Sequence, residues 1–126
     1  MAKVNLTGFG YNESVDKTGN YTATAADSGR VLNFTASAVL TLPAVGATFS
    51  NVTVIARVGA EGITLEIAPN SADKIVGNGL TAADDKSIYF TSQDAGSFVV
   101  LKCTNEATTD SAWVIERIVG DITREA

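Results

Sequence analysis

Side chains that could carry out acid–base chemistry are scarce in this 126-residue sequence. It contains no histidine, the side chain that most often titrates near neutrality in catalytic sites. The common serine and cysteine nucleophile systems, and most zinc sites, therefore lack their usual base or ligand. The single cysteine, Cys103, ends the apolar run SFVVLKC. An unpaired cysteine in such a run is more often a small buried hydrophobic residue than a nucleophile.

The carboxylates do not form an evident catalytic or metal-binding group. Asp84 and Asp85 are adjacent, so on a strand they would face opposite ways and could not form the pair, roughly 5 to 9 Å apart, that glycosidases use. Asp73 and Asp94 are flanked by small residues and are typical of turns. The segment TNEATTD, residues 104–110, supplies oxygen atoms but lacks the glycine and the ligand spacing of a calcium loop. We predict no catalytic residues, no metal and no cofactor, and hence a protein that is not an enzyme.

Trp113 is the aromatic residue that invites a second interpretation. It stands in the alternating segment AWVIER, residues 112–117, where the pattern favours a core position. A tryptophan on the outside of such a strand could instead stack on a sugar ring. A carbohydrate-binding role needs only an exposed aromatic side chain and a few polar groups, so it stays open as an alternative.

The charge distribution argues against a nucleic-acid partner. Nine lysines and arginines stand against fourteen acidic residues, which gives a net charge of −5, and the basic residues are scattered along the chain. Binding to phosphates requires a clustered positive surface. No apolar run approaches the roughly 20 residues that span a bilayer, and the start, MAKVNLTGFG, does not resemble a signal peptide. We therefore expect a soluble chain made in the cytoplasm, with no membrane contact.

Strand patterns dominate the chain, and helical periodicity is nearly absent. Runs that alternate between apolar and polar residues, rich in valine, isoleucine and threonine, recur at short intervals with turn sequences between them. The run SFVVLKC is apolar on both faces as far as Leu101, which predicts a central strand covered on each side. The fold class that these patterns predict is all-β, a small antiparallel β-sandwich or roll formed by residues 20–126. The predicted strands are residues 20–25, 30–35, 38–42, 52–58, 63–68, 86–91, 97–103 and 112–118.

Residues 1–19 differ from the rest of the chain. They contain three glycines and several polar residues, with four spaced apolar side chains: Val4, Leu6, Phe9 and Tyr11. We predict an extended N-terminal arm outside the core, because ordering such a segment costs about 1 to 2 kcal/mol per residue in backbone entropy. Its aromatic residues could tuck back onto the sheet of their own domain. We favour the other interpretation, in which the four apolar side chains contact a partner. The charged end GDITREA, residues 120–126, is expected to fray.

Several short motifs follow one another in an order that carries a resemblance. An Asp-Ser-Gly turn at residues 27–29 precedes a Leu-Pro step at 42–43 and a strand that runs from Ile63 to Pro69. A D-x-I-x-G turn at 73–77 and a late strand with Trp113 complete the series. In this order, over roughly residues 20–118, the chain resembles a β-structured module of tailed-bacteriophage virion proteins. Such modules occur in head decoration (cement) proteins and in tail fibres.

The resemblance implies a structural protein of the phage particle, commonly a homotrimer. A module that is nearly alone, with a short arm, looks more like a decoration protein than like a fibre with a long shaft. The implied partners are the major capsid protein and further copies of the chain, and the implied location is the outside of the capsid at local three-fold positions. The alternative is a tail-fibre or receptor-binding virion protein that binds carbohydrate through Tyr11, Tyr89 or Trp113. The resemblance supplies no catalytic residue.

Overall fold

The structure is a computed structural model that describes residues 13–46, 52–80, 83–103 and 112–125. These ranges contain eleven strands and one 3-10 turn, Ala25–Asp27. The strands are β1 (Ser14–Lys17), β2 (Tyr21–Thr22), β3 (Val31–Phe34), β4 (Ala38–Thr41), β5 (Thr53–Val58), β6 (Thr64–Ala68), β7 (Lys74–Val76), β8 (Ile88–Thr91), β9 (Phe98–Cys103), β10 (Ala112–Val119) and β11 (Thr123–Arg124).

The strands form two sheets that pack together, which confirms the predicted all-β sandwich. One sheet has six strands in the order β1-β3-β5-β9-β10-β7, and the other has five in the order β11-β8-β6-β4-β2. The first six strands alternate between the sheets, so each strand lies parallel to the previous strand of its own sheet. Strands β8 and β9 pair antiparallel with their neighbours.

The sheets are therefore mixed, and the prediction of an antiparallel sandwich is wrong in this respect. An alternating apolar pattern indicates which residues face the core but carries no information about strand direction. Each connection leads to the opposite sheet, and the next connection leads back. The chain therefore re-enters each sheet in the same direction as in its previous strand there. Parallel pairs follow without any helical crossover.

The core lies between the sheets and is built from the inward positions of each strand. In β5 the residues Val54, Ala56 and Val58 are fully buried, while the positions between them are only partly so. Burying an aliphatic or aromatic side chain of this kind contributes about 1.5 to 3 kcal/mol. Cys103 is buried at the end of β9, and its sulfur accepts a hydrogen bond from the Val52 N–H at 3.3 Å. This confirms its interpretation as a buried residue.

Three short strands were not predicted. Residues 14–17, which the sequence analysis assigned to the arm, form β1 at the edge of the six-stranded sheet. At the other end, Thr123 pairs with Tyr89, so the prediction that this segment frays is wrong for β11. Strand β7 was taken as a turn. The sequences of these strands lack the regular apolar alternation of the predicted strands, which is why they look like connections.

Candidate functional site

The Asp-Ser-Gly motif forms the corner that leads into β3. Asp27 is buried, and its Oδ2 accepts hydrogen bonds from the Tyr21 hydroxyl and the Thr24 N–H, each at 2.8 Å. The Ser28 hydroxyl accepts a hydrogen bond from the Thr53 N–H at 3.2 Å, and the Gly29 N–H donates to the Thr53 carbonyl at 2.9 Å. The motif therefore joins the start of β3 to the start of β5.

The Leu-Pro step, the D-x-I-x-G turn and Trp113 meet at a second corner. Asp73 is buried, and its Oδ2 accepts a hydrogen bond from the Val45 N–H at 2.8 Å. Trp113 is fully buried beside Ile75, its partner across the β7–β10 pair, and its Nε1 donates to the Pro43 carbonyl at 3.4 Å. Trp113 is thus a core residue, and the alternative that placed it on the surface as a sugar platform is wrong. These motif residues stabilise a turn and the core of the domain.

The other carboxylates that the sequence analysis considered lie in turns or at the surface. Asp84 makes an ion pair with Lys74 at 3.5 Å, and Asp85 has a φ of 59° in the following turn. Within the four described ranges, no three cysteine, aspartate or glutamate side chains are grouped so that they could hold a metal ion. The same ranges contain no helix that is long and apolar enough to cross a membrane.

The outward side of the six-stranded sheet carries an unusual group of side chains, which we call the apolar face. In the strand register, Ile55 of β5 lies opposite Val100 of β9, and Phe98 of β9 lies opposite Val119 of β10. Val119 is 44% exposed, and the others are half-buried. The apolar face consists of Ile55, Phe98, Val100, Val114 and Val119. The central position of β9 is confirmed. Among the described residues, the opposite sheet covers its inward side, and the outward side chains Phe98 and Val100 are only half-buried.

Cationic side chains lie among these apolar residues. The Arg117 guanidinium carbon is 5.8 Å from the centre of the Phe98 ring, a distance at which a cation is attracted to an aromatic face. Arg57 stands opposite Phe98, and Lys102 is exposed opposite Val114. The face thus combines apolar side chains with positive charge.

A polar network fixes the β1 side of the same sheet. Arg57 donates from Nε to the Asn33 Oδ1 at 2.8 Å and from Nη2 to the Ser14 hydroxyl at 2.9 Å. Asn33 in turn donates from Nδ2 to the Asp16 Oδ1 at 2.9 Å. Side chains from β1, β3 and β5 are therefore linked across the surface, and the polar edge passes directly into the apolar face.

The outward side of the five-stranded sheet is polar by contrast. Glu66 lies between Val39 and Tyr89 in the strand register and accepts a hydrogen bond from the Ser87 hydroxyl at 2.9 Å. The Ser87 N–H donates to the Glu125 Oε1 at 2.9 Å. Partial burial, together with the Glu66 and Glu125 carboxylates, raises the pKa of the Tyr89 hydroxyl. Threonines occupy most other outward positions of this sheet: Thr41, Thr64, Thr91 and Thr123.

The predicted contact residues, Val4, Leu6, Phe9 and Tyr11, all lie outside the described residues. The apolar face was not predicted, although the two-sided apolar pattern of SFVVLKC was a signal for it. A strand with apolar residues on both sides can be covered by its own chain or by another one, and the pattern does not distinguish the two.

Comparisons with protein families, curated proteins and solved structures found no match to this chain.

Proposed function

We propose that this chain is a structural protein of a tailed-bacteriophage particle. It decorates the outer surface of the assembled capsid as a trimer at local three-fold positions and stabilises the shell. The observation that supports this proposal best is the apolar face, because exposed apolar patches on a folded domain are typical of protein contact sites. The motif order that resembles phage decoration modules supports the choice of partner.

The stabilising effect would come from linking neighbouring capsid subunits. Packaged DNA pushes outward on the shell, and a trimer that holds several subunits opposes their separation. Once one copy in a trimer has bound, the others face their sites at a high effective concentration. Modest contacts by each copy then add up to tight binding.

The N-terminal segment is the proposed capsid contact, through Val4, Leu6, Phe9 and Tyr11. Large aromatic residues are enriched at the energetic centres of protein interfaces, and this segment contains two of them. A segment that becomes ordered on binding loses part of its contact energy to that ordering. Trimeric binding would compensate for this loss.

A reconstitution experiment tests the proposal. Heads that lack this protein are incubated with the full chain or with a variant that lacks residues 2–12, and bound copies are counted by quantitative gel analysis and cryo-electron microscopy. We expect saturable binding of the full chain and strongly reduced binding of the deletion variant. A matched variant with serine at the four apolar positions keeps the length of the segment. Binding of both variants at the level of the full chain would rule out the contact by this segment.

A carbohydrate-binding role at the tail is the second candidate. Tyr89 favours this role. Its half-buried aromatic ring lies on the outward side of the five-stranded sheet, opposite Glu66 and among the outward threonines. A ring that stacks on a sugar, with carboxylates and hydroxyls that bind its polar groups, is a common recognition arrangement. A reproducible glycan-array signal that the Tyr89→Ala variant loses would favour this role over capsid decoration.

A further inference from the structure

The apolar face occupies positions that are normally polar. In a sheet with one side on the core and the other in water, outward positions carry polar side chains. The five-stranded sheet follows this rule through its threonines, whereas β5, β9 and β10 of the other sheet place valine, isoleucine and phenylalanine outward. The difference between the two sheets singles out the apolar face as the surface that a partner covers.

The charge on this face indicates which partner fits. Three of the nine cationic residues of the chain, Arg57, Lys102 and Arg117, occupy outward positions on the three strands that carry it. The chain as a whole has a net charge of −5. Asp16 and Glu116 lie on the same sheet and offset part of this positive charge. When these five side chains are left out, the rest of the molecule still has a net charge more negative than −5. A second copy therefore offers the negative surface that complements the face.

The same charges also decide the geometry of the contact. A two-fold contact would place the apolar face of one copy on the apolar face of another and bring the two sets of three cations together. Like charges that meet across an interface are unfavourable. A head-to-tail contact avoids this, because each apolar face then meets a different, acidic surface of the next copy. Head-to-tail contacts that close after a fixed rotation form rings.

We propose that the apolar face is the surface through which copies of this chain bind one another, head to tail, with an acidic surface of the next copy over Phe98, Val100 and Val119. Only the ring size of three rests on the proposed function. The contact itself does not require a capsid.

The mass of the purified full chain in solution tests this inference, by sedimentation velocity and light scattering over a range of concentrations. Val119→Asp places a carboxylate opposite Phe98 at one end of the face, where it meets the acidic neighbour. Because Val119 is already 44% exposed, the fold of a single copy should tolerate the change. Thr91→Asp is the matched control, an exposed strand position on the polar sheet. Circular dichroism verifies that both variants are folded.

We expect a trimer for the natural chain and for Thr91→Asp, and a dissociation constant raised at least about ten-fold by Val119→Asp, which corresponds to about 1.4 kcal/mol. A natural chain that is monomeric at its highest soluble concentration would overturn the inference. So would a Val119→Asp variant that associates as tightly as the natural chain, or one that remains trimeric and loses only its binding to heads. If the trimer forms through this face and still does not bind heads, the inference stands and the proposed function fails.

Discussion

Two buried carboxylates, Asp27 and Asp73, show how single residues specify this fold. Aspartate is rarely buried unless its oxygens have partners. Each of these carboxylates accepts a backbone N–H from a segment that has no strand to pair with it, Thr24 in one case and Val45 in the other. Asp27 and Asp73, two of the residues that carry the resemblance to phage modules, therefore stabilise corners of the fold.

Replacing Asp73 with alanine should destabilise the domain by about 1 to 3 kcal/mol, because the Val45 N–H would remain buried without its acceptor. The control is Asp84→Ala, which removes a partly exposed ion pair with Lys74 and should change the stability by less than about 1 kcal/mol. Urea unfolding followed by tryptophan fluorescence measures both. Equal effects of the two substitutions would contradict the role assigned to Asp73.

The hydrogen bond from Tyr21 to Asp27 predicts a pH dependence in the alkaline range. This bond, together with burial, raises the pKa of the Tyr21 hydroxyl above its ordinary value of 10.0. Because the pKa of Tyr21 is higher in the folded than in the unfolded state, its hydrogen bond contributes fully to the folding stability below pH 10.0. This contribution is lost as the pH rises through the folded pKa.

Tyr21→Phe should therefore cost about 1 to 2 kcal/mol at neutral pH, and the difference from the natural chain should shrink above pH 10. The phenylalanine ring keeps its place beneath the Lys17 ammonium, which lies 3.7 Å from the ring centre, so the substitution isolates the hydroxyl. The Tyr89 hydroxyl titrates in both proteins, so its contribution cancels when their unfolding free energies are subtracted. Unfolding free energies measured at several pH values provide the test, and a difference that grows with pH would contradict the argument.

Side chains help to hold β1 in place. Among the described residues it is a four-residue edge strand paired with β3, and the Asp16–Asn33–Arg57–Ser14 network spans that pair and continues to β5. Short edge strands have few backbone hydrogen bonds and open at low free-energy cost.

Asn33→Ala should thus release β1 while leaving the centre of the sheet intact. We expect amide hydrogen exchange in residues 14–17 to rise about ten-fold or more, with β9 and β10 unchanged. Asn70→Ala is the control, since the hydrogen bond that its side chain accepts from the Ala72 N–H is local. If the amides of β1 exchange at the same rate in Asn33→Ala as in the natural chain, the backbone pairing alone holds this strand.

The strands that could be predicted from the sequence are those with an apolar alternation of four or more residues. Seven of the eight predicted segments coincide with β3, β4, β5, β6, β8, β9 and β10, to within about two residues at each end. The eighth, residues 20–25, shortens to Tyr21–Thr22 because the chain turns at Ala25 to place Asp27 beneath the Tyr21 hydroxyl. A turn set by one tertiary hydrogen bond leaves no periodic signal.

Strand direction and the exposure of the apolar face could not be predicted in the same way. Both depend on where the chain goes after each strand, which local patterns do not encode. In β9 the outward Val100 and the inward Leu101 look alike in sequence, although only Leu101 is fully buried in the structure. What separates them is the opposite sheet, which covers one side of β9 and not the other.

The two outer sides of the sandwich differ in composition. One side is apolar and cationic, and the other is rich in threonine with acidic groups. A protein that must join copies of itself and also stay soluble needs such a division, because large apolar patches on both sides would promote uncontrolled association. In the proposed decoration trimer, the first side of each copy meets an acidic surface of the next copy.

Cryo-electron microscopy of phage particles with and without this chain tests whether it decorates the capsid. We expect difference density on the outside of the shell, at local three-fold positions, into which three copies of the sandwich fit. Difference density at the tail or at a fibre tip, with none on the shell, would contradict it.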